Sequence, residues 1–321
     1  IPREYSDNYC SILPNKETRV VTTEFIYNQE EQSLEYVGWY YSIIESKKKL
    51  WYDYVDEKYE DIEVGKDFRI IYESSQVIKK SMNDYIINKE TKSHEMVRYW
   101  MIYVNQIMCK EVKKIYRCNP PPSHIKFNLL QEYIKFHTNI DSTIDCNDRN
   151  SIIKFTRDYN NDKLLEHILK SLLIKAFYSD KDDSHYGIGI SNYTHWTSPI
   201  RRSADLINHC ILRGYDINPK KYLNDMNEAE LKQDMIEDFI LNYKNYQYQQ
   251  SHLNETFEAT IIHVIPTGIV VYIEKFDSKF TIHISKLSTD KLEFNTNKKG
   301  PQFEVLFLFR SSQLSRIHQS V

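Results

Sequence analysis

Residues 185–218, HYGIGISNYTHWTSPIRRSADLINHCILRGYDIN, constrain this chain more than any other stretch. The pattern predicts a strand over Tyr186–Ser191, a short polar corner and then a helix with both ends marked. Ser198 is a good N-cap, Pro199 suits the first helical position, and Gly214 stands where a left-handed helix end favours glycine. Arg201 and Arg202 then fall in the first turn, where the helix dipole is already positive and cations are disfavoured. Two guanidiniums converging on free amide N–H groups make a site for a phosphate, because the planar fork of arginine holds two oxygens at once. The plainer alternative is that Asp205, four residues after Arg201 and three after Arg202, pairs with one of them on a solvated face.

The run Tyr193-Thr194-His195-Trp196-Thr197-Ser198-Pro199-Ile200-Arg201-Arg202, followed by Ala204-Asp205-Leu206 and His209, resembles the signature of the RNase II/RNase R (RNB) exoribonuclease family. Weaker likenesses extend it. Ile1-Pro2 and Cys10-Ser11-Ile12-Leu13-Pro14 resemble a segment that the family places well downstream of its catalytic acidic cluster. The helix expected over Ser93–Tyr116 matches a family helix at His94, Val97, Met101 and Asn105, but has Arg98-Tyr99 where the family has an acidic pair. Arg117 and Pro120–Pro122 match a further segment. Residue 1 is isoleucine, so the chain is expected to begin inside a longer product.

Periodicity gives the remaining elements. Strands are expected over Val20–Tyr27 and Tyr36–Ile44, and a helix from Lys49. The apolar spacing of Met96, Val97, Trp100, Met101, Val104, Ile107, Met108 and Val112 marks the core stripe of the long helix, with Asn119 and the prolines after it as its stop. Two more helices are expected over 127–136 and 161–177, and another over 227–249. Asp180, Asp182 and Asp183 read as a loop rather than an ion site. From residue 251 short alternating strands (257–264, 268–274, 279–284, 303–309) have the texture of a five-stranded OB-type barrel, with a tight turn at Pro266-Thr267-Gly268. The fold class is therefore α+β: a mixed sheet with long helices over 1–250, resembling the C-terminal part of an RNB catalytic domain, followed over 251–321 by a small OB-type RNA-binding barrel.

Net charge −3 gives no global positive field, so any contact with nucleic acid must come from local patches. Five irregularly spaced cysteines with no C-x-x-C argue for a reducing compartment, and no apolar run approaches a membrane span, so a soluble intracellular protein is expected.

The resemblance implies processive 3′→5′ hydrolysis of single-stranded RNA to nucleoside monophosphates. It makes Arg201 and Arg202 the catalytic candidates, with Arg201 favoured for the scissile phosphate. It also gives Tyr52 the role of an RNA clamp, which Lys47, Lys48 and Lys49 beside it would support by neutralising the backbone. His195, Thr197 and Ser198 in the signature, and Phe280, His283 and Lys286 in the barrel, are the other candidate contacts; Phe280 is equally a core residue by its spacing. Mg²⁺ is implied, but the family's carboxylate ligands have no counterpart here. An upstream segment or companion chain would have to supply them. The competing reading is a catalytically inactive RNA-binding or scaffolding member of the same fold.

Overall fold

The computed structural model describes residues 2–82, 90–123, 174–252 and 255–286, with residues 125, 127, 128, 131, 149 and 150 and the backbone of 302–306. Nearly all of the helices expected over 127–136 and 161–177 lies outside the described residues, although Phe177 itself opens a strand. Elements are numbered in chain order among the described residues. The chain divides into two compact units. One comprises Ile1–Pro121, Asn147–Lys154 and Leu173–Glu228; the other comprises Pro122–Cys146, Phe155–Leu172 and Ala229–Val321.

The first unit opens with an antiparallel hairpin, β1 (Glu17–Asn28) and β2 (Ser33–Glu45), running from Glu17 opposite Glu45 to Asn28 opposite Ser33 with a bulge at Glu24/Phe25. β-Branched and aromatic residues fill it, as strand sterics favour. Phe25 meets the edge of Trp100 at a ring-centre distance of 5.1 Å, which anchors one face. Three helices follow: α1 (Tyr52–Lys58), α2 (Gly65–Ser81) and α3 (Lys92–Val112). α1 starts later than Lys49, because Trp51 is still extended.

α3 ends well before the prolines. Lys113 adopts a left-handed conformation (φ 50°) and its N–H bonds back to the Cys109 carbonyl at 2.9 Å. The chain then enters β3 (Tyr116–Cys118), which pairs antiparallel with β4 (Phe177–Ser179). The buried stripe of α3 is also rotated from the expected one. Ile107, Met108 and Val112 are buried as expected, but Tyr99 and Ile102 are buried too, while Met96, Val97, Trp100, Met101 and Val104 are only half-buried. Tyr99 shares one core cluster with Ile78 and Met82 and with Ile190 and Tyr193. A helix touched from several sides buries more than one stripe. Arg98 pairs with Glu90, Nε to carboxylate 2.8 Å.

The strand expected over Tyr186–Ser191 is a turn instead, bracketed by single bridges at His185 and Ile190. Its ladder groups are taken by side chains. Arg149 donates to the carbonyls of Tyr186 (2.7 Å) and Gly187 (3.1 Å), and the Gly187 N–H donates to Asn119 Oδ1 (2.7 Å). The signature helix α4 (Ser203–Leu212) begins five residues beyond Ser198, with extended Arg202 at its cap. Ser198 does start a turn, its carbonyl accepting from the N–H groups of Arg201 and Arg202 at 3.2 and 3.1 Å, but that turn is not continued. The far end of α4 follows the sequence. Gly214 takes φ +85°, its N–H bonds to the Ile211 carbonyl (2.9 Å), and the Tyr215 N–H bonds to the Cys210 carbonyl (3.1 Å), the Schellman pattern.

α5 (Leu223–Gln250) begins in the first unit, where Asn227 grips the backbone of Tyr178 through both amide atoms. The second unit contains β5 (Thr256–Ile265), β6 (Gly268–Ile273), β7 (Ser278–His283) and β8 (Gln302–Leu306) in one antiparallel sheet ordered β7-β6-β5-β8. A side chain at Gly268 would lie 2.0 Å from the Ile282 carbonyl oxygen, so the turn needs glycine there. Phe257, Val271, Ile273 and Phe276 form its core, with Phe280 packed against them. Among the described residues the sheet has four strands and does not close into a barrel. No described helix is long and apolar enough to cross a membrane.

Candidate nucleic-acid interface

The signature segment is held from behind by amides. Asn105, buried in α3, donates to the Tyr193 hydroxyl (3.0 Å) and accepts the Trp196 N–H (3.0 Å). Asn208, buried in α4, donates to Thr194 Oγ1 (2.9 Å) and to the His195 carbonyl (3.1 Å). His209 stacks on Trp196 with ring centres 3.8 Å apart. These contacts fix the loop whose free end carries Thr197 to Arg202.

The two arginines have different surroundings. Asp205 is fully buried, and its Oδ1 accepts from both the Ser198 N–H (2.8 Å) and Arg202 Nη2 (2.7 Å). Arg202 is thus paired with Asp205, as the plainer alternative had it for one of the two, but in a buried setting rather than on a solvated face, and it is a brace of the turn more than a free phosphate ligand. The same carboxylate explains the late start of α4, because it claims the N–H of Ser198 and pins residue 202 in an extended conformation. Arg201 is exposed and has no acidic partner among the described residues.

Arg201 lines a groove of about 1570 Å³ within the first unit, and Thr197, Ser198, Lys48 and Lys49 line it too. Arg19 and Arg213 complete a set of five cationic side chains, with no carboxylate among the described residues lining the groove. In a chain with net charge −3 this segregation of charge selects for an anionic occupant. Arg213 also lies over the ring of Tyr41, 5.1 Å from its centre. Neither Arg19 nor Arg213 was legible as a site residue: one alternates along a strand and the other sits at a helix end, where a cation complements the dipole.

The other candidates are dispersed. Lys47 pairs with Glu45 outside the groove lining, at 2.9 Å. Lys48 is steadied by Tyr54, its Nζ donating to the hydroxyl at 3.0 Å. Tyr52 is exposed and its ring stacks on His94, centres 3.9 Å apart, which leaves one aromatic face for a partner. In the second unit His283 is exposed at the end of β7, whereas Phe280 points to the inner face with the core. Lys286 closes the short helical turn Ile284–Lys286, and its side chain lies outside the described residues.

His195 is largely buried, with Nδ1 2.8 Å from the Tyr178 hydroxyl. Burial first, then Arg202 and Arg117, push its pKa down to about 2. The imidazole is therefore neutral and can meet RNA only as a hydrogen-bonding group. Its titration also bears on stability. A histidine whose folded pKa lies below the unfolded value near 6.5 binds its proton first in the unfolded chain, so stability is full above pH 6.5 and is lost as pH falls toward about 2. His185, lowered to about 4 by burial, adds the same sign over a narrower window. Between pH 7 and 5 each is expected to cost about 2 kcal/mol of stability. His195→Gln should roughly halve the acid loss seen in urea unfolding at the two pH values; an unchanged pH dependence would show that His195 is not the buried neutral group described.

The acidic residues do not compensate for the missing carboxylate ligands. Asp180 is paired with Lys220 at 2.7 Å, and Asp182 accepts from the backbone N–H groups of Ser184 and Asn192. No group of three or more His, Cys, Asp or Glu side chains among the described residues is placed to hold a metal ion. The described residues therefore do not fit the Mg²⁺ that the family likeness implies.

Fold and groove together define an α+β protein with a cation-lined cleft beside a rigid arginine loop. Residues 66–218 match the model of the RNB domain. The chain is similar to Ribonuclease R of Mycoplasmopsis pulmonis, 24% identical over 99% of this chain and 52% of the relative. Among solved structures it is similar to Mycoplasma genitalium RNase R in complex with ribose methylated single-stranded RNA (TM-score 0.77, 20% identity, 96% of this chain and 57% of that one). It is also similar to yeast Ssd1, a pseudonuclease (TM-score 0.67, 18% identity, 88% of this chain and 41% of that one). The match over residues 66–218 and these likenesses support membership of the RNase II/RNase R (RNB) family. It spans about half the length of the curated relatives it matches.

Proposed function

We propose that this chain supplies the phosphate-gripping part of a 3′→5′ exoribonuclease that hydrolyses single-stranded RNA to nucleoside monophosphates. The observation that carries the reading is the groove: Arg201, exposed and without an acidic partner among the described residues, lines it together with Lys48 and Lys49, and no described carboxylate lines it. In this reading Arg201 braces the scissile phosphate, Arg202 holds the turn that presents it, and Thr197 and Ser198 add polar contacts. Tyr52 offers a stacking face to a base. Residues 1–250 would form the catalytic-domain portion. Residues 251–321 would form an OB-type RNA-binding barrel of which the four-stranded sheet is a part, with His283 and Lys286 contacting RNA. Phe280 supports the barrel from its inner face. The carboxylates for Mg²⁺ would come from an upstream segment or a companion chain.

A second reading, an inactive RNA-binding or scaffolding member of the same fold, is favoured by one observation: Arg98-Tyr99 is occupied structurally, by an ion pair and by the core. The likeness to a pseudonuclease belongs on the same side. Both readings give one first result: the chain alone binds single-stranded oligo(A) and releases no monophosphate in magnesium. Failure to bind would end both. Adding the acidic portion of the complete protein separates them, since only the nuclease reading expects monophosphates then.

A further inference from the structure

Tyr52 opens α1, and Asp56 lies one turn later on the same helix. Asp56 reaches across to the start of α3. Its Oδ1 accepts the Ser93 N–H at 2.9 Å and its Oδ2 accepts the Ser93 hydroxyl at 2.8 Å. Thr91, at the cap of α3, gives the helix backbone no side-chain bond, and its hydroxyl lies 2.9 Å from His94 Nδ1. The first-turn amide of Ser93 is therefore satisfied from α1, by an anion placed where the helix dipole favours one. Burial raises the pKa of Asp56, but hydrogen bonds from Thr91 and Ser93 outweigh it and hold the carboxyl below its ordinary value.

These bonds meet at the ring pair. Ser93 immediately precedes His94, whose ring stacks on Tyr52 with centres 3.9 Å apart and planes 18° from parallel. Ser93 is 2% exposed and Tyr52 44%, so a buried anchor stands behind an open ring. The stack alone joins two rotatable side chains, whereas the two bonds from Asp56 tie together the helices that carry them. A base gains from stacking only what remains after the ring is ordered, so a ring fixed beforehand binds more tightly than a loose one.

We infer that Asp56 is the positioning residue of a base-stacking subsite: its two bonds to Ser93 set α1 on α3 so that Tyr52, backed by His94, presents its outer face to an RNA base. This role rests on the proposed RNA reading, in which Tyr52 contacts a base.

Oligo(A) carrying one 2-aminopurine, placed at each position in turn and bound to the whole chain, reports the stack, because the probe loses fluorescence when its base stacks. Tyr52→Ala should abolish the quench at one position and weaken binding about ten-fold. Asp56→Ala should restore fluorescence at that same position and weaken binding about three- to ten-fold. Added to Tyr52→Ala it should cost less than about two-fold more, as for residues that act as one unit. Asp56→Asn keeps an acceptor for the Ser93 N–H and a donor for the Ser93 oxygen. It should therefore keep the quench, although both variants lower the Tm by removing the anion at the start of α3. Circular dichroism checks folding; if Asp56→Ala does not fold, Ser93→Ala, which removes one of the two bonds, should restore part of the fluorescence. A quench that survives the loss of these bonds overturns the role. So do losses that add to those of Tyr52→Ala, or a quench lost equally in Asp56→Asn and Asp56→Ala, either of which would make Asp56 a general stabiliser of the fold. The RNA reading fails separately, if the parent chain does not bind oligo(A); if it binds but Tyr52→Ala leaves every position quenched, Tyr52 makes no base contact and the role of Asp56 falls with it.

Discussion

Arg201→Ala is expected, on the proposed nuclease function, to lower turnover of single-stranded RNA about 10²- to 10³-fold, the usual cost of removing one preorganised donor to developing negative charge. Binding of the same RNA should weaken only a few-fold, because Lys48 and Lys49 still line the groove. The difference arises because a guanidinium aimed at the reacting phosphate gains strength as charge accumulates there, whereas a backbone contact is equally strong before and during reaction. Salt dependence gives an independent readout. Loss of one phosphate contact to a single strand should reduce the slope of log K against log salt by about 0.7. Equal losses in turnover and affinity would refute the role. Arg202→Ala should behave differently, lowering turnover and thermal stability together, since Arg202 is bonded to Asp205 and not to the groove.

The contrast between the two arginines shows where the sequence stops being legible. Capping and helix-end rules read Gly214 correctly, because a left-handed residue is a local requirement that only backbone conformation decides. They placed Arg201 and Arg202 in the first helical turn because Ser198-Pro199 is a good local start. What moves the helix to Ser203 is a tertiary contact, the Asp205 carboxylate claiming both the Ser198 N–H and the Arg202 guanidinium. The turn at 186–190 was misread for a similar reason: its ladder groups go to Arg149 and Asn119, whose proximity no spacing rule reveals. The hairpin, α3 and the four strands of the second unit were legible since period-2 and period-3.6 patterns survive in them. The burial of Tyr99 was not, because it depends on α2 and the 190–193 segment joining it in one core cluster. Of the groove's lining, the signature supplies Arg201 and its loop, while Arg19 and Arg213 became visible only when the hairpin and α4 enclosed one groove.

Asp205→Ala should be the most destabilising single change near the site. The carboxylate is fully buried, and the Arg202 side chain it holds is only 19% exposed. A pair of this kind contributes little over a well-packed apolar substitute, because burying both charges cancels most of their attraction. Removing one partner is different, since it leaves the other charge desolvated and unpaired, at about 3–5 kcal/mol. Here it also frees the Ser198 N–H and so undoes the turn that carries Arg201. Against a typical domain stability of about 5–15 kcal/mol, such a loss should be plain as a lower urea midpoint. The double variant Asp205→Leu, Arg202→Met decides the cause. If the penalty comes from a stranded guanidinium, the double variant recovers much of the stability that Asp205→Ala loses, but not the turnover, because the turn under Arg201 still lacks its acceptor. If the double variant is as unstable as the single one, Asp205 stabilises the fold mainly through the Ser198 backbone. If it recovers both stability and turnover, the brace has no part in presenting Arg201, and the groove alone orients it.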